Sequence, residues 1–144
     1  GSARTFVVTH SQSKAAQVIG YYGLVVGQVE PLEAPERIRK GMGQYPIPVM
    51  LLARLAVSQT AQGLGLGMGL LQDAIRRTLQ VAEQAGIRAL MTHPIDASAT
   101  QFYKRYGFEA SGIAAAADDR TVVRDRHVAD VASGSLRASV EPPA

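Results

Sequence analysis

The stretch Gln59-Thr60-Ala61-Gln62-Gly63-Leu64-Gly65-Leu66-Gly67-Met68-Gly69-Leu70-Leu71 places a glycine at every second position from 63 to 69, then starts an apolar pattern of helical spacing. The first turn of a helix has amide hydrogens without intrahelical acceptors, and its dipole adds about half a positive charge, so an anion is its natural ligand. Glycine permits positive φ and removes the side chains that would hold a phosphate oxygen at a distance. An apolar run, Val49 to Val57, precedes the stretch. Strand, glycine loop and helix together favour phosphate binding over a merely flexible turn. The loop lacks the Gly-Lys-Ser/Thr ending of a nucleotide-hydrolase P-loop. It also lacks the third glycine of a dinucleotide fingerprint, and several strands precede it where that fold has one.

Outward from this unit, the pattern predicts a mixed α/β domain. Arg4 to Thr9 and Ala15 to Val29 read as two antiparallel strands joined by a polar turn at His10 to Lys14, the second dense enough in apolar residues to be central. Glu30 to Pro46, with its prolines, glycines and the basic Arg37-Ile38-Arg39-Lys40, reads as an excursion from the core. Val49 to Val57 is expected to be a buried strand carrying one charge, Arg54. From Leu70 the residues Leu70, Leu71, Ala74, Ile75, Thr78, Leu79 and Ala82 share one helical stripe. Gln72, Asp73, Arg76, Arg77, Gln80 and Glu83 lie opposite, and Gly86 ends the helix. A strand at Ile87 to His93, a helix at about Ala97 to Tyr106 and a short strand from Phe108 follow. The domain is expected over 1–111, with 112–144 an irregular segment holding a last strand at 121–131 and then a tail.

The 144-residue length suits one domain, and 47% hydrophobic against 19% charged residues is a globular composition. No cysteine is present, which excludes disulfides and thiolate catalysis, and His10, His93 and His127 show no metal-ligand spacing, so no metal is expected. No apolar run reaches the roughly 18 residues of a membrane span and no secretory pattern opens the chain, so a cytoplasmic location without membrane association is expected. A net charge of +3 permits an anionic partner without requiring one.

Gln62-Gly63-Leu64-Gly65-Leu66-Gly67 resembles the Gln/Arg-x-x-Gly-x-Gly/Ala motif of the GNAT acetyltransferases, whose loop holds the pyrophosphate of acetyl coenzyme A. Pro46 to Val57, Ala34 to Met42 and Phe102-Tyr103-Lys104-Arg105-Tyr106-Gly107-Phe108 are similar to the GNAT toxins of type II toxin-antitoxin pairs, and the likeness spans about Arg4 to Ser111. It implies a GNAT fold, a mixed central sheet flanked by helices, here without the strand and two helices that the family places before Arg4. It further implies acetyl transfer from acetyl coenzyme A to the amino group of aminoacyl-tRNA, translation arrest, a ribbon-helix-helix antitoxin and a homodimer. The alternatives are a GNAT enzyme acting on a small-molecule or protein amine, and a non-catalytic coenzyme-binding remnant.

The site residues this implies are Leu55, Ala56 and Val57 at a splayed strand end, whose backbone donors would stabilise the tetrahedral oxyanion. Gln62, Gly63, Gly65, Gly67, Met68 and Phe102 would hold the coenzyme. Tyr103 matches the family's proton donor to the leaving thiolate, a role suited to a phenol of ordinary pKa near 10; apart from the family it reads more readily as a core aromatic beside Phe102 and Phe108. Arg37, Arg39, Lys40 and Arg54 are the candidates for tRNA, with Arg76, Arg77, Lys104 and Arg105 behind them. Arg54 is singled out because a lone arginine in a buried strand needs an anionic or hydrogen-bonding partner. Neither Glu30 nor His93 stands out as a general base. An α-amine of pKa roughly 8, lowered by esterification of its carboxyl, leaves proximity as the main source of rate.

Overall fold

Three long strands, each rich in Val, Leu, Ile or Tyr, begin the sheet: β1 (Arg4–His10), β2 (Gln17–Val29) and β3 (Ile47–Val57). The computed structural model describes residues 3–10, 17–30, 38, 40–41, 43–110, 121–125 and 139–141. The turn expected at His10 to Lys14 and the residues Arg37 and Arg39 lie wholly or mostly outside these. β1 pairs antiparallel with β2 from Arg4 opposite Leu24 to His10 opposite Gln17, and β2 pairs antiparallel with β3 from Val29 opposite Ile47 to Gly20 opposite Val57. Between β2 and β3 the register jumps, Leu24 facing Leu52 and Gly23 facing Arg54, so Ala53 is the extra residue of a bulge.

A crossover helix α1 (Leu66–Ala85) carries the chain to β4 (Ala89–Thr92), which lies parallel to Val49–Leu52 of β3. Helix α2 (Ala97–Arg105) and the short β5 (Glu109–Ala110) follow. Strand β6 (Val122–Asp125) inserts antiparallel between β4 and β5, and β7 (Ser139–Glu141) adds antiparallel to β1. The spatial order is β5-β6-β4-β3-β2-β1-β7, a mixed sheet as expected. The last strand expected within 121–131 is therefore seen at Val122–Asp125, while Ser139–Glu141, expected to be tail, is a strand.

Alternation along β3 sends Met50 and Leu52 into the larger core with α1 and α2, and Val49 into a smaller one with Ile38, Ala89, Met91 and Val123. In the larger core the fully buried Tyr22 ring stacks on Phe6 at 4.9 Å between centroids, and Leu70, Leu71 and Ile75 of α1 close over the sheet. Each such burial is worth about 1.5–3 kcal/mol. Helix α1 ends at Gly86 in left-handed conformation as its sequence predicts. It begins at Leu66, four residues before the apolar stripe suggests, so Gly67 and Gly69 are helical. Among the described residues no helix is long and apolar enough to cross a membrane.

Candidate active site

The site is built where β3 and β4 part. Their pairing ends at Leu52 opposite Thr92, yet β3 runs on to Val57. On its other side this extension stays paired with β2, and Ser58 N–H donates to Ile19 O at 2.8 Å. Because hydrogen-bonding direction alternates along an antiparallel strand, the amides of Leu55 and Val57 then point away from β2, toward the edge where none of the described strands lies alongside. Val57 O accepts from Gln62 Nε2 at 3.2 Å, in agreement with that polarity. The splayed end expected at Leu55, Ala56 and Val57 is thus present, and all three are half-buried.

A single 3-10 turn, Gln59–Ala61, leads from β3 into the glycine loop. Gly63 and Gly65 adopt φ of 84° and 78°, which explains their requirement directly. A Cβ built on either meets nothing within 4 Å, so the space above the loop is open. Gly65 caps α1 without a side-chain hydrogen bond, and the first turn holds no acidic residue, so the helix terminus keeps its capacity for an anion. Gly67 acts otherwise than the loop reading expects: inside the helix, it lets the Phe102 ring approach, its Cβ position lying 3.7 Å from that ring and 3.9 Å from Val57. Met68 is half-buried in the same first turn. Gln62 turns its side-chain amide to Val57 and so ties loop to strand.

Helix α2 brings Phe102 and Tyr103 to this place. Asp96 caps it by accepting from Ala99 N–H at 2.7 Å, and at its other end the buried Arg124 of β6 donates from Nε to Tyr106 O at 3.0 Å. Tyr103 is buried, edge-on to Phe102 and Phe108 at 5.3 Å each. Burial pushes its phenol above the usual value, opposed by hydrogen bonding with the Thr92 hydroxyl. Thr92, which sequence reasoning passed over, also donates to Leu52 O at 2.9 Å across the last β3–β4 pair. One side chain thereby joins the parting strands and the candidate acid.

The basic candidates do not converge so clearly. Arg54 is exposed, contrary to the expectation of a charge on a buried strand, because the Ala53 bulge falls beyond the last β3–β4 pair. Lys40 is exposed, and Arg88 holds its segment by donating from Nε to Ile38 O at 3.3 Å and from its terminal nitrogen to Lys40 O at 2.5 Å. Arg77 faces inward, bonded to Asp73 at 2.9 Å and lying 4.2 Å over the Phe6 ring, whereas Arg76, also bonded to Asp73, stays exposed. Lys104 and Arg105 occupy the exposed last turn of α2, where cations complement the helix dipole.

Asp73 corrects the expected polar face of α1. It is buried and accepts from the Tyr22 hydroxyl, Arg76 and Arg77. The Asp73–Arg77 spacing of four was the sequence signal for part of this. Tyr22 also faces Leu55 in the β2–β3 register, so one network connects α1 to the open strand edge. No group of His, Asp or Glu suited to a metal occurs among the described residues.

A left-handed glycine loop at a helix start thus lies beside parted parallel strands, with a phenol against their last pair. The chain belongs to the GNAT acetyltransferase family, whose domain model matches residues 2–110. It is 42% identical over 111 residues to a tRNA-acetylating toxin of Mycobacterium tuberculosis, covering 77% of this chain and 64% of that one. The chain therefore spans less than two thirds of this relative's length. Among solved structures, AtaT complexed with acetyl-methionyl-tRNAfMet superposes with a TM-score of 0.75 at 24% identity, over 85% of this chain and 71% of that one. AtaTR bound with acetyl coenzyme A gives 0.69 at 25%, over 86% and 70%.

Proposed function

We propose that this chain carries the catalytic core of an acetyl-coenzyme-A-dependent N-acetyltransferase acting as a toxin on the amino group of aminoacyl-tRNA. The parting of β3 from β4 beside the Gly63–Gly65 loop carries the enzymatic reading, and the 42% identity to a tRNA-acetylating toxin carries the substrate. The open loop and uncapped helix start suit a pyrophosphate, and the bare β3 edge suits the amides of its pantetheine arm. Acetyl coenzyme A supplies an activated acyl group and a thiolate leaving group.

Gly63, Gly65 and the first amides of α1 bind the phosphates, and Phe102 stands beside them. An edge amide of β3, at Leu55 or Val57, donates to the oxygen that gains charge as the amine attacks. Tyr103, kept protonated by burial, gives its proton to the departing sulfur. Arg54 and Lys40, with Arg37 and Arg39, offer charge to the tRNA backbone. A ribbon-helix-helix antitoxin, a homodimer and a cytoplasmic site of action complete the reading and rest on the family resemblance.

The test is transfer of labelled acetyl from acetyl coenzyme A to charged tRNA by the wild-type chain and by Tyr103→Phe. Label on the aminoacyl group that drops about 10²-fold or more in Tyr103→Phe, with coenzyme still bound, is the expected result. Binding of coenzyme without transfer to charged tRNA would move the acceptor to another amine.

A further inference from the structure

We propose that the imidazole of His93 accepts a proton from the incoming amine, a role that rests on the acetyltransferase reading above. His93 follows Thr92, the last residue of β4, so it stands at the mouth of the gap where β3 continues alone. Thr92 faces the Tyr103 side of the sheet, where Leu90 joins the larger core with α1 and α2. By strand alternation the next residue falls with Met91 on the opposite side, that of the smaller core built around Ile38. The gap therefore has a phenol toward one face and an imidazole toward the other.

His93 is exposed, and its Nδ1 lies 2.7 Å from Thr121 Oγ1. With Nδ1–H donated to that hydroxyl, Nε2 carries the free lone pair. Thr121 is uncharged, and Asp96 is committed to capping α2. An α-amine with a pKa of roughly 8 reaches the site substantially protonated near neutral pH. The proton count then closes. As the nitrogen–carbon bond forms and the carbon–sulfur bond breaks, the ammonium loses two protons. One passes to His93 and on to solvent; the other replaces the proton that Tyr103 gave to sulfur.

His93→Gln keeps an N–H able to bond Thr121 but has no basic nitrogen, and His93→Ala leaves room for added imidazole. Each is assayed for single-turnover acetyl transfer to charged tRNA and to a free amino-acid ester, alongside coenzyme binding and thermal unfolding. Expected is a loss of about 30- to 100-fold in both variants, within the range of general base catalysis. Coenzyme affinity and melting temperature should hold, and tens of millimolar imidazole should restore His93→Ala at least tenfold without affecting the wild type. Wild-type-like transfer by His93→Gln would show that only the bond to Thr121 matters and overturn the proposal, as would failure of imidazole to rescue a folded, coenzyme-binding His93→Ala. Transfer by the wild type to the ester but not to tRNA removes the tRNA substrate and leaves His93 to be judged on the ester. Transfer to neither removes both readings.

Discussion

Helix α1 begins and ends on left-handed glycines in nearly the same conformation, Gly65 at φ 78°, ψ 11° and Gly86 at φ 69°, ψ 19°. A Cβ on either meets nothing within 4 Å. Gly65→Ala and Gly86→Ala should therefore differ in no steric respect within the protein itself. An L-residue held in this region costs about 1–2 kcal/mol, and the stiffer unfolded chain returns about 0.4–1 kcal/mol. The net loss is about 1 kcal/mol for each, a fall of roughly 3 °C in melting temperature for a domain of this size. Their effects on coenzyme A should part company. At Gly65 the new methyl group stands in the path of the proposed phosphate to the helix amides, and at Gly86 it stands some 30 Å away at about 1.5 Å per residue. Calorimetric titration is expected to show affinity at least tenfold weaker, about 1.4 kcal/mol, for Gly65→Ala alone. Unaltered affinity in Gly65→Ala, or an equal loss in Gly86→Ala, would refute the assignment of the phosphate site to this loop.

Tyr22→Phe removes a donor from the buried Asp73 and should cost about 1–3 kcal/mol in urea unfolding, whereas Arg76→Ala, losing a side chain that is 56% exposed, should cost at most about 1 kcal/mol. Burial, and for Tyr22 the bond to and charge of Asp73, raise the phenols of Tyr22 and Tyr103. The unfolded chain then loses these protons first, so the stability they contribute is whole below pH about 10 and declines above it, and Tyr22→Phe should flatten that decline in alkaline denaturation curves. Arg54→Ala is expected to leave the melting temperature unchanged, since the side chain is exposed, while raising KM for charged tRNA several-fold and reducing its salt dependence; a shifted KM for acetyl coenzyme A instead would place Arg54 elsewhere.

The sequence was most readable where backbone chemistry demands a residue type. Positive φ at Gly63 and Gly65 and the cap at Gly86 announce themselves. Tyr103 was found through its family motif; its burial and its contact with Thr92 depend on β4, distant in sequence. The start of α1 was read late because glycine disfavours helix by about 1 kcal/mol per residue, and tertiary packing of Gly67 and Gly69 overrides that. Arg54 and Asp73 were misread for a common reason. Whether a polar residue is buried is decided by where a neighbouring strand stops or what a remote Tyr22 offers, and neither is written in local periodicity. Strand β6 falls within the strand expected at 121–131, but the burial of its Arg124 is a feature that no alternation rule selects.

That strand also sets an order of assembly. β6 follows the five described strands β1 to β5 in the chain, yet it lies inside the sheet, and among the described residues β5 pairs with β6 alone. Strands β1, β2 and β3 pair with one another in chain order, whereas β7 joins β1 last and the tie from the end of α2 to the sheet waits for Arg124 to bond Tyr106 O. A nascent chain can thus hold a formed glycine loop before the end of α2 is tied down. Synthesis halted after Ala110 should yield a polypeptide that carries every motif residue and still transfers no acetyl group.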